Sequence, residues 1–517
     1  MKNASGSYER TRNSMRNSFT ALSLQLLVML AGFFSRKIFI EYLGTEVVGL
    51  NTTAASILNF LNLAELGIGV AVAVTLYRPL LDRDERTIRE IVSLQGGLYR
   101  IIGSIVIAGS LAVMLFFPQI FSKTDLPLWY PYAAFSVLLY SSLLKYFFNY
   151  KKNVLYADQQ HYKVLSCSRS VTFVKLILQA LAVRCLADAY VWWLLIEAVS
   201  ATVATILVMR IVYKAFPGLK KPVEDAPLLR KKYPDVLRKV RWLAFHKIGY
   251  FAVSQLSPLV VYAFSSLTTV ALYGNYVLLT TNLYAILTSV FTGMEASVGN
   301  MVAEGNKKLI LKVFRELFSV RFLFVGICCI CLWMLTDPFI TVWLGSRYLL
   351  GKTTLALIIV LFYITNTRST VDIFLDAYGM FRDIWAPVLE AAVNIGMSIL
   401  LGKFYGLDGV LAGIIISQFA VGFFWKPVFL FKWGLKESLS FYVKLYARHL
   451  LIFAVSFIAV TELHSALKPA PAASLWIFLL HAVIVLAVST IVFGGLLLLL
   501  EKSARGVLLR VRRAVGN

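Results

Sequence analysis

Charge is scarce in this chain: Asp, Glu, Lys and Arg together supply only 15% of its 517 residues, where soluble domains carry about 25%. With 59% of the residues hydrophobic, that scarcity excludes both an ordinary water-soluble protein and a disordered one. Acidic residues are the rarer sign, 27 against 51 Lys and Arg. Cysteines are few and odd in number. Cys167, Cys185, Cys328, Cys329 and Cys331 lie in or at the ends of apolar runs, which excludes a disulfide framework, and the last three, at i, i+1 and i+3 of one helix, cannot all face one metal. His161, His246, His449, His464 and His481 fall at different depths, so neither a metal centre nor a catalytic histidine cluster is expected, and no cofactor. Polar stretches long enough for a sizeable soluble domain are missing as well. So is a cleavable signal peptide, because the apolar run after Arg16 continues to Arg36 without a small-residue cleavage site and reads as a signal anchor.

What is present is hydrophobic length. Mean hydropathy is +0.74, and a bilayer crossing needs about 20 apolar residues. Such runs occur near 19–41, 47–77, 91–117, 128–149, 164–187 and 189–213, then near 242–265, 269–297, 313–336, 353–379, 384–403, 408–431, 441–462 and 474–500. The sequence therefore predicts an all-α polytopic membrane protein with about fourteen transmembrane helices. The second, eighth and tenth runs exceed one crossing, which predicts tilt or an extra turn outside the lipid. A basic, proline-bearing stretch at 214–241 is too short for a core and reads as a cytoplasmic linker. It separates an N-terminal six-helix bundle at 19–213 from a C-terminal one at 242–431, preceded by a cytoplasmic segment at 1–18 and followed by a helix pair at 432–500 and a basic tail at 501–517. A weak internal repeat supports the division: FIEYLGTEVVGLNTT and VVYAFSSLTTVALYGNY both enter a long span through glycine and asparagine, Gly49 with Asn51 and Gly274 with Asn275.

Loop charge tests the count independently. Basic residues collect on alternate connectors: Arg10, Arg12 and Arg16; Arg78, Arg83, Arg86 and Arg89; Lys151 and Lys152; Lys307, Lys308 and Lys312; Lys426, Lys432 and Lys436; and Arg505, Arg510, Arg512 and Arg513. The other connectors hold little beyond Lys123, Arg347, Lys352, Lys403 and Lys468. By the positive-inside bias both termini are expected in the cytoplasm. The net charge of +24 then belongs to loops beside anionic lipid, and nucleic acid is excluded as a partner because no basic face is free of membrane.

Ionisable side chains at membrane depth are costly unless paired or facing water, which makes each a functional candidate. Thr365, Arg368, Asp372 and Asp376 step by three and four along one helix face. The purely structural alternative is an i,i+4 pair of Arg368 with Asp372, but the second carboxylate favours a lumen. Asn51, Asn62, Glu65 and Gly69 share a face of the second span, with Asn59 at its edge. A protonated Glu65 bonded across helices is the structural alternative there. Lys247 aligns with Tyr250, Ser254 and Ser257, Arg36 with Gln25 and Gly32, and Lys175 stands alone halfway through the fifth span. Arg100 and Arg321 are placed to snorkel. Arg36, Lys175, Lys247 and Arg368 together suggest a cationic cavity able to host an anion such as phosphate. Glu65, Asp372, Asp376 and Glu390 are the candidate ion-coupling or cavity carboxylates, with Glu197 and Glu295 as structural partners.

Two motifs mislead. GSRYLLGKTT from Gly345 has five residues between its glycines where a P-loop has four, so no ATPase is indicated. Gly402, Gly406, Gly409 and Gly413 read as a tight outer turn with close helix packing.

The arrangement resembles a known family. RNS before the first span, FIEYLG followed by VGLN, LAELGIG leading to LYRPL, and PVLEAAVNIGMSILLGKFYGLDGVLAG late in the chain resemble the polysaccharide flippases of the multidrug, oligosaccharidyl-lipid and polysaccharide exporter superfamily. The resemblance runs from Asn13 to Gly413. It implies two six-helix bundles plus a final helix pair, alternating access around a cationic cavity, and no enzymatic activity. The implied substrate is an undecaprenyl-pyrophosphate-linked oligosaccharide, moved to the outer leaflet of a bacterial inner membrane for cell-surface polysaccharide such as the O-antigen of lipopolysaccharide. Membrane lipids and polysaccharide polymerase machinery are the implied partners. The family shares no fixed catalytic motif, so only the cavity cations and the contexts of Glu65 and Glu390, the latter with Asn394 in EAAVN, carry over. A peptidoglycan-precursor flippase and a cation-coupled multidrug exporter of the same superfamily stay open as alternatives.

Overall fold

The computed structural model describes residues 2–65, 68–158, 160–220, 226–238, 240, 257–380, 383, 385–466 and 474–506. Among the described residues all regular structure is helical, as a chain in lipid requires when each backbone polar group must be satisfied within its own segment. The main helices, in chain order, are α1 Lys2–Leu43, α2 Thr45–Leu61, α3 Ile68–Leu81, α4 Glu85–Met114, α5 Trp129–Phe147, α6 His161–Cys185, α7 Ala189–Ala215, α8 Ala226–Lys232, α9 Ser257–Phe264, α10 Leu267–Glu304, α11 Lys307–Trp343, α12 Lys352–Ala377, α13 Trp385–Ser417, α14 Leu439–Ala466 and α15 Leu475–Leu500.

Among the described residues the expected spans fall on helix, and the protein is a multi-pass membrane protein of about fourteen crossings. Among the described residues, ten segments are both long and apolar enough to cross a bilayer. One of these, Trp385–Leu435, makes two crossings, because Gly406 breaks it at φ 55° and ψ −129°, a conformation open to glycine. On either side of the break the chain packs against itself without room for side chains: Gly413 lies on the backbone of Ser398, Gly409 on that of Leu401, and Ser398 Oγ donates to Val410 O at 3.1 Å. Of the seventh span only α9 lies within the described residues. Large apolar side chains such as Trp476, Ile491 and Leu499 stand exposed on the helices, the surface a bilayer would cover.

The chain divides into two compact units, Met1–Tyr262 with Ser266–Ala271 and Ala263–Ser265 with Leu272–Asn517. In the first, α1 packs on α6, α6 on α7, and α5 on α2, α4 and α7. The second span is not one helix. It stops at Leu61, turns through a tight 3-10 segment at Asn62–Glu65 and resumes at Ile68. Polar neighbours hold the turn: Asn62 Oδ1 accepts from Tyr146 Oη at 2.6 Å and Ser142 Oγ at 3.2 Å, and Glu65 Oε1 accepts from Tyr99 Oη at 2.9 Å. The expected single face of Asn51, Asn62, Glu65 and Gly69 is therefore split, because helical phase is lost where the hydrogen-bond ladder breaks.

The linker is part of this unit. Leu219, Leu229 and Val236 are buried, and Glu90, just before the third span, accepts from Lys232 Nζ at 2.5 Å, Tyr233 Oη at 2.6 Å and Arg86 Nε at 3.2 Å. The bonds from Lys232 and Tyr233 hold the Glu90 carboxyl below the usual carboxylate range.

In the second unit, Phe314, Phe318, Phe322, Phe374 and Phe431 are fully buried in one aromatic core. The final pair α14 and α15 packs on α11, where Gly326 leaves the space that Phe493 fills. A polar clasp closes the same contact: buried His449 Nε2 meets Ser319 Oγ at 2.9 Å, Ser319 Oγ meets Ser503 Oγ at 2.8 Å, and the more exposed Arg448 Nε lies 2.9 Å from Glu501 Oε1. Two sequence expectations fail here. Arg321 does not snorkel but is buried with its guanidinium 4.2 Å from the Phe291 ring centroid. His464 and His481 are not scattered, since α14 and α15 bring their Nε2 atoms to 2.6 Å.

Candidate functional site

The first unit encloses a cavity of about 500 Å³ walled by α1, α2, α6 and α7, with Arg36, Asn51, Lys175, Gln179, Trp193 and Glu197 among its lining residues. Arg36 and Lys175, two of the four cations put forward, thus share one space. Lys175 is not solitary. Its Nζ lies 2.9 Å from Glu197 Oε1, while Glu197 Oε2 accepts from Gln179 Nε2 at 3.0 Å. Arg36 Nη2 donates to Ala271 O at 3.3 Å. Asn51 Oδ1 accepts from Tyr190 Oη at 3.0 Å. Lys247 lies outside the described residues.

Arg368 belongs to a separate cluster in the second unit. Its Nε lies 3.2 Å from Asp372 Oδ2 and its Nη1 3.0 Å from Glu390 Oε1, and Lys426 Nζ approaches Asp372 Oδ1 at 3.7 Å. Two cations and two carboxylates so compensate one another, which a buried position demands. Asp376 is exposed in the last turn of the same helix. The helix opposite widens into i→i+5 hydrogen bonding over Gln418–Trp425, a geometry frequent at functional sites. Gln418 Oε1 accepts from Thr365 Oγ1 at 2.9 Å, and Gly422 abuts the arginine, where a Cβ would fall 2.5 Å from Arg368 Nη1. A larger cavity of about 620 Å³, lined by Tyr363, Phe419, Phe423, Tyr446 and Phe453 among others, carries no charged side chain. The smaller, polar cavity is the candidate site.

The sequence profile of a family described as polysaccharide biosynthesis protein matches residues 14–294, more than half of the chain and every residue that lines the polar cavity. The chain belongs to that family. The family member's fold is likewise shared with solved transporters. It is similar to the inward-facing conformation of a multidrug resistance MATE family transporter of the MOP superfamily, at TM-score 0.63 and 15% identity over 81% of this chain and 99% of that one. It is also similar to the lipid II flippase MurJ in an inward closed conformation, at TM-score 0.66 and 13% identity over 94% of this chain and 99% of that one. No curated protein matches it. Both solved structures are transporters or flippases by their own description, and what this chain shares with them is the fold.

Several residues of this family member's sites escape sequence reasoning. Gln179 and Trp193 look like ordinary members of apolar spans. Glu197 had a usable signal, since it and Lys175 stand equally far from the turn at Leu186, so an antiparallel hairpin must bring them level. Lys426, counted among the inner-loop charges, is instead turned toward Asp372. Gln418 and Gly422 gain meaning only from the widened helix.

Proposed function

We propose that this protein is a flippase that moves an undecaprenyl-pyrophosphate-linked oligosaccharide repeat unit from the cytoplasmic to the outer leaflet of a bacterial inner membrane, by alternating access, for cell-surface polysaccharide synthesis. The observation that carries the reading is the polar cavity of the first unit, with Arg36 and Lys175 in its wall, set within the stretch that matches the polysaccharide biosynthesis family. A charged wall inside an apolar bundle is costly to keep, and a polar headgroup crossing the bilayer gives it a use. Arg36, Lys175, Lys247 and Arg368 are assigned to the anionic headgroup, Glu65, Asp372, Asp376 and Glu390 to ion coupling, and both termini to the cytoplasm. Polysaccharide polymerase machinery would take the product on the far side.

The test is deletion of the gene followed by leaflet-resolved assay of lipid-linked repeat units. Accumulation on the cytoplasmic leaflet, reversed by the intact gene, supports the reading; unchanged distribution overturns it. The likeness to the lipid II flippase, which covers 94% of this chain, makes a peptidoglycan-precursor flippase the second reading. Restored growth of cells depleted of their own lipid II flippase would select it.

A further inference from the structure

The wall of the polar cavity is chemically unlike a phosphate site. A phosphate host presents cationic donors that are free to turn to it, whereas Lys175 Nζ is engaged by Glu197 Oε1 at 2.9 Å and the same carboxylate takes Gln179 Nε2 at 3.0 Å. Glu197 in the wall would repel a pyrophosphate and accept from hydroxyl groups. Asn51, Asn59 and Gln179 add amides, which offer a donor and an acceptor together. Phe39 and Trp193 add aromatic surface beside them.

These rings are braced from behind. Trp193 stacks on Tyr190 at 6.1 Å and 11°, Tyr190 on Tyr130 at 4.6 Å and 8°, and Phe39 meets Trp193 edge-on at 5.2 Å. Tyr190 also orients the amide of Asn51: by donating to Oδ1 at 3.0 Å it fixes which end of the amide accepts. Asn51 Nδ2 is then buried with no hydrogen-bond partner among the described residues. A buried donor left unmatched is uncommon and costly, and this one belongs to a residue that lines the cavity.

We propose that the cavity of the first unit is a saccharide subsite. A pyranose ring presents its C–H face to Trp193, a hydroxyl or acetamido oxygen accepts from Asn51 Nδ2, and further hydroxyls donate to Glu197. Amides and a carboxylate around a rigid aromatic platform match a ligand that is hydroxylated at its edge and apolar on its face. The inference rests on the flippase reading and revises one assignment within it: the wall that holds Arg36 and Lys175 takes the sugar, and the pyrophosphate is left to Lys247 and Arg368.

The experiment measures binding to the purified full-length protein by native mass spectrometry with two probes. One is the lipid-linked oligosaccharide extracted from membranes of the cells that carry the gene; the other is undecaprenyl pyrophosphate without sugar. The wild type should prefer the glycosylated lipid by about tenfold or more, and Trp193→Leu and Asn51→Ala should each remove most of that preference while leaving the bare lipid's binding unchanged. Trp193→Phe, which keeps a ring, should retain it. Should Trp193→Leu not fold, as judged by thermal unfolding, Asn51→Ala carries the test. Equal binding of both lipids with the variants unaffected overturns the saccharide subsite and leaves the flippase reading standing. If Trp193→Leu is silent but Lys175→Gln weakens the bare lipid, the wall holds pyrophosphate and the inference is wrong. Binding of neither lipid overturns the flippase reading and the subsite with it.

Discussion

Lys175 Nζ lies 2.9 Å from Glu197 Oε1 across the hairpin of α6 and α7, with 21% and 17% of the two side chains exposed. Removing one member of a fully buried pair costs about 3–5 kcal/mol, and a pair with this exposure should lose a part of that. Lys175→Ala is therefore expected to lower the thermal unfolding temperature in detergent, and the neutral pair Lys175→Gln with Glu197→Gln to recover most of the loss. Equal stability of Lys175→Ala and wild type would show that water reaches the pair.

Around Arg368 the prediction concerns shape as well as charge. Gly422→Ala places a methyl group against the guanidinium and should impair transport as Arg368→Ala does, with protein still present in the membrane. Arg368→Lys keeps the charge without the planar fork that reaches Asp372 and Glu390 at once, so partial transport is expected. Full transport by Gly422→Ala would mean that this arginine has room to move.

Glu65 sits in the break between α2 and α3 with Tyr99 Oη on its carboxylate at 2.9 Å. Protonation there removes a charge from a segment already interrupted, which is enough to bias a two-state equilibrium if its two conformations solvate the group differently. Glu65→Gln, and Asp372→Asn in the second unit, are expected to uncouple flipping from an ion gradient while sparing substrate binding. Undiminished wild-type flipping in vesicles with a collapsed gradient would remove the premise.

A pH dependence follows from Glu90. Its depressed pKa means that the clasp on Lys232 and Tyr233 contributes fully above the unfolded carboxyl's pKa of about 4.3 and is lost as pH falls through the lower folded value. Amide exchange in 226–238, compared at each pH with Glu90→Gln, should show protection only in the wild type at neutral pH, the two proteins converging on acidification. Equal protection at pH 7 would mean that the clasp does not hold the linker.

For topology, single cysteines replacing Asp125 and Ser346 should react with an impermeant thiol reagent from outside the cell, and those replacing Asp84 and Asn306 should not. Reversed labelling of either pair would turn the protein over in the membrane.

Hydropathy carried the fold far, because a bilayer admits few solutions: the runs of about 20 apolar residues fall on helix among the described residues. Glycines told of the reversal at Gly406 for a similar reason, since only backbone without Cβ fits there. The break at Asn62–Glu65 was less visible, as its residues are compatible with a helix and only the hydroxyls of Ser142, Tyr146 and Tyr99, far away in the chain, hold them otherwise. The candidate residues were legible one at a time, as polar groups out of place in lipid. Their partners on other helices were harder to read than Asp372, which stands one turn from Arg368 on the same helix.

Local composition and periodicity thus decided that the chain spans a membrane, how often, and which side chains are too polar to be there without a purpose, because those are properties of single segments measured against lipid. Tertiary structure decided which of these charges meet: Lys175 with Glu197, Arg368 with Glu390 and Lys426 with Asp372. Periodicity along one helix fixes the direction of a side chain about that helix axis but carries no information on which neighbour packs there. The clearest case is Trp193, one apolar residue among many in α7, which becomes part of a cavity wall only because α1, α2 and α6 close around it.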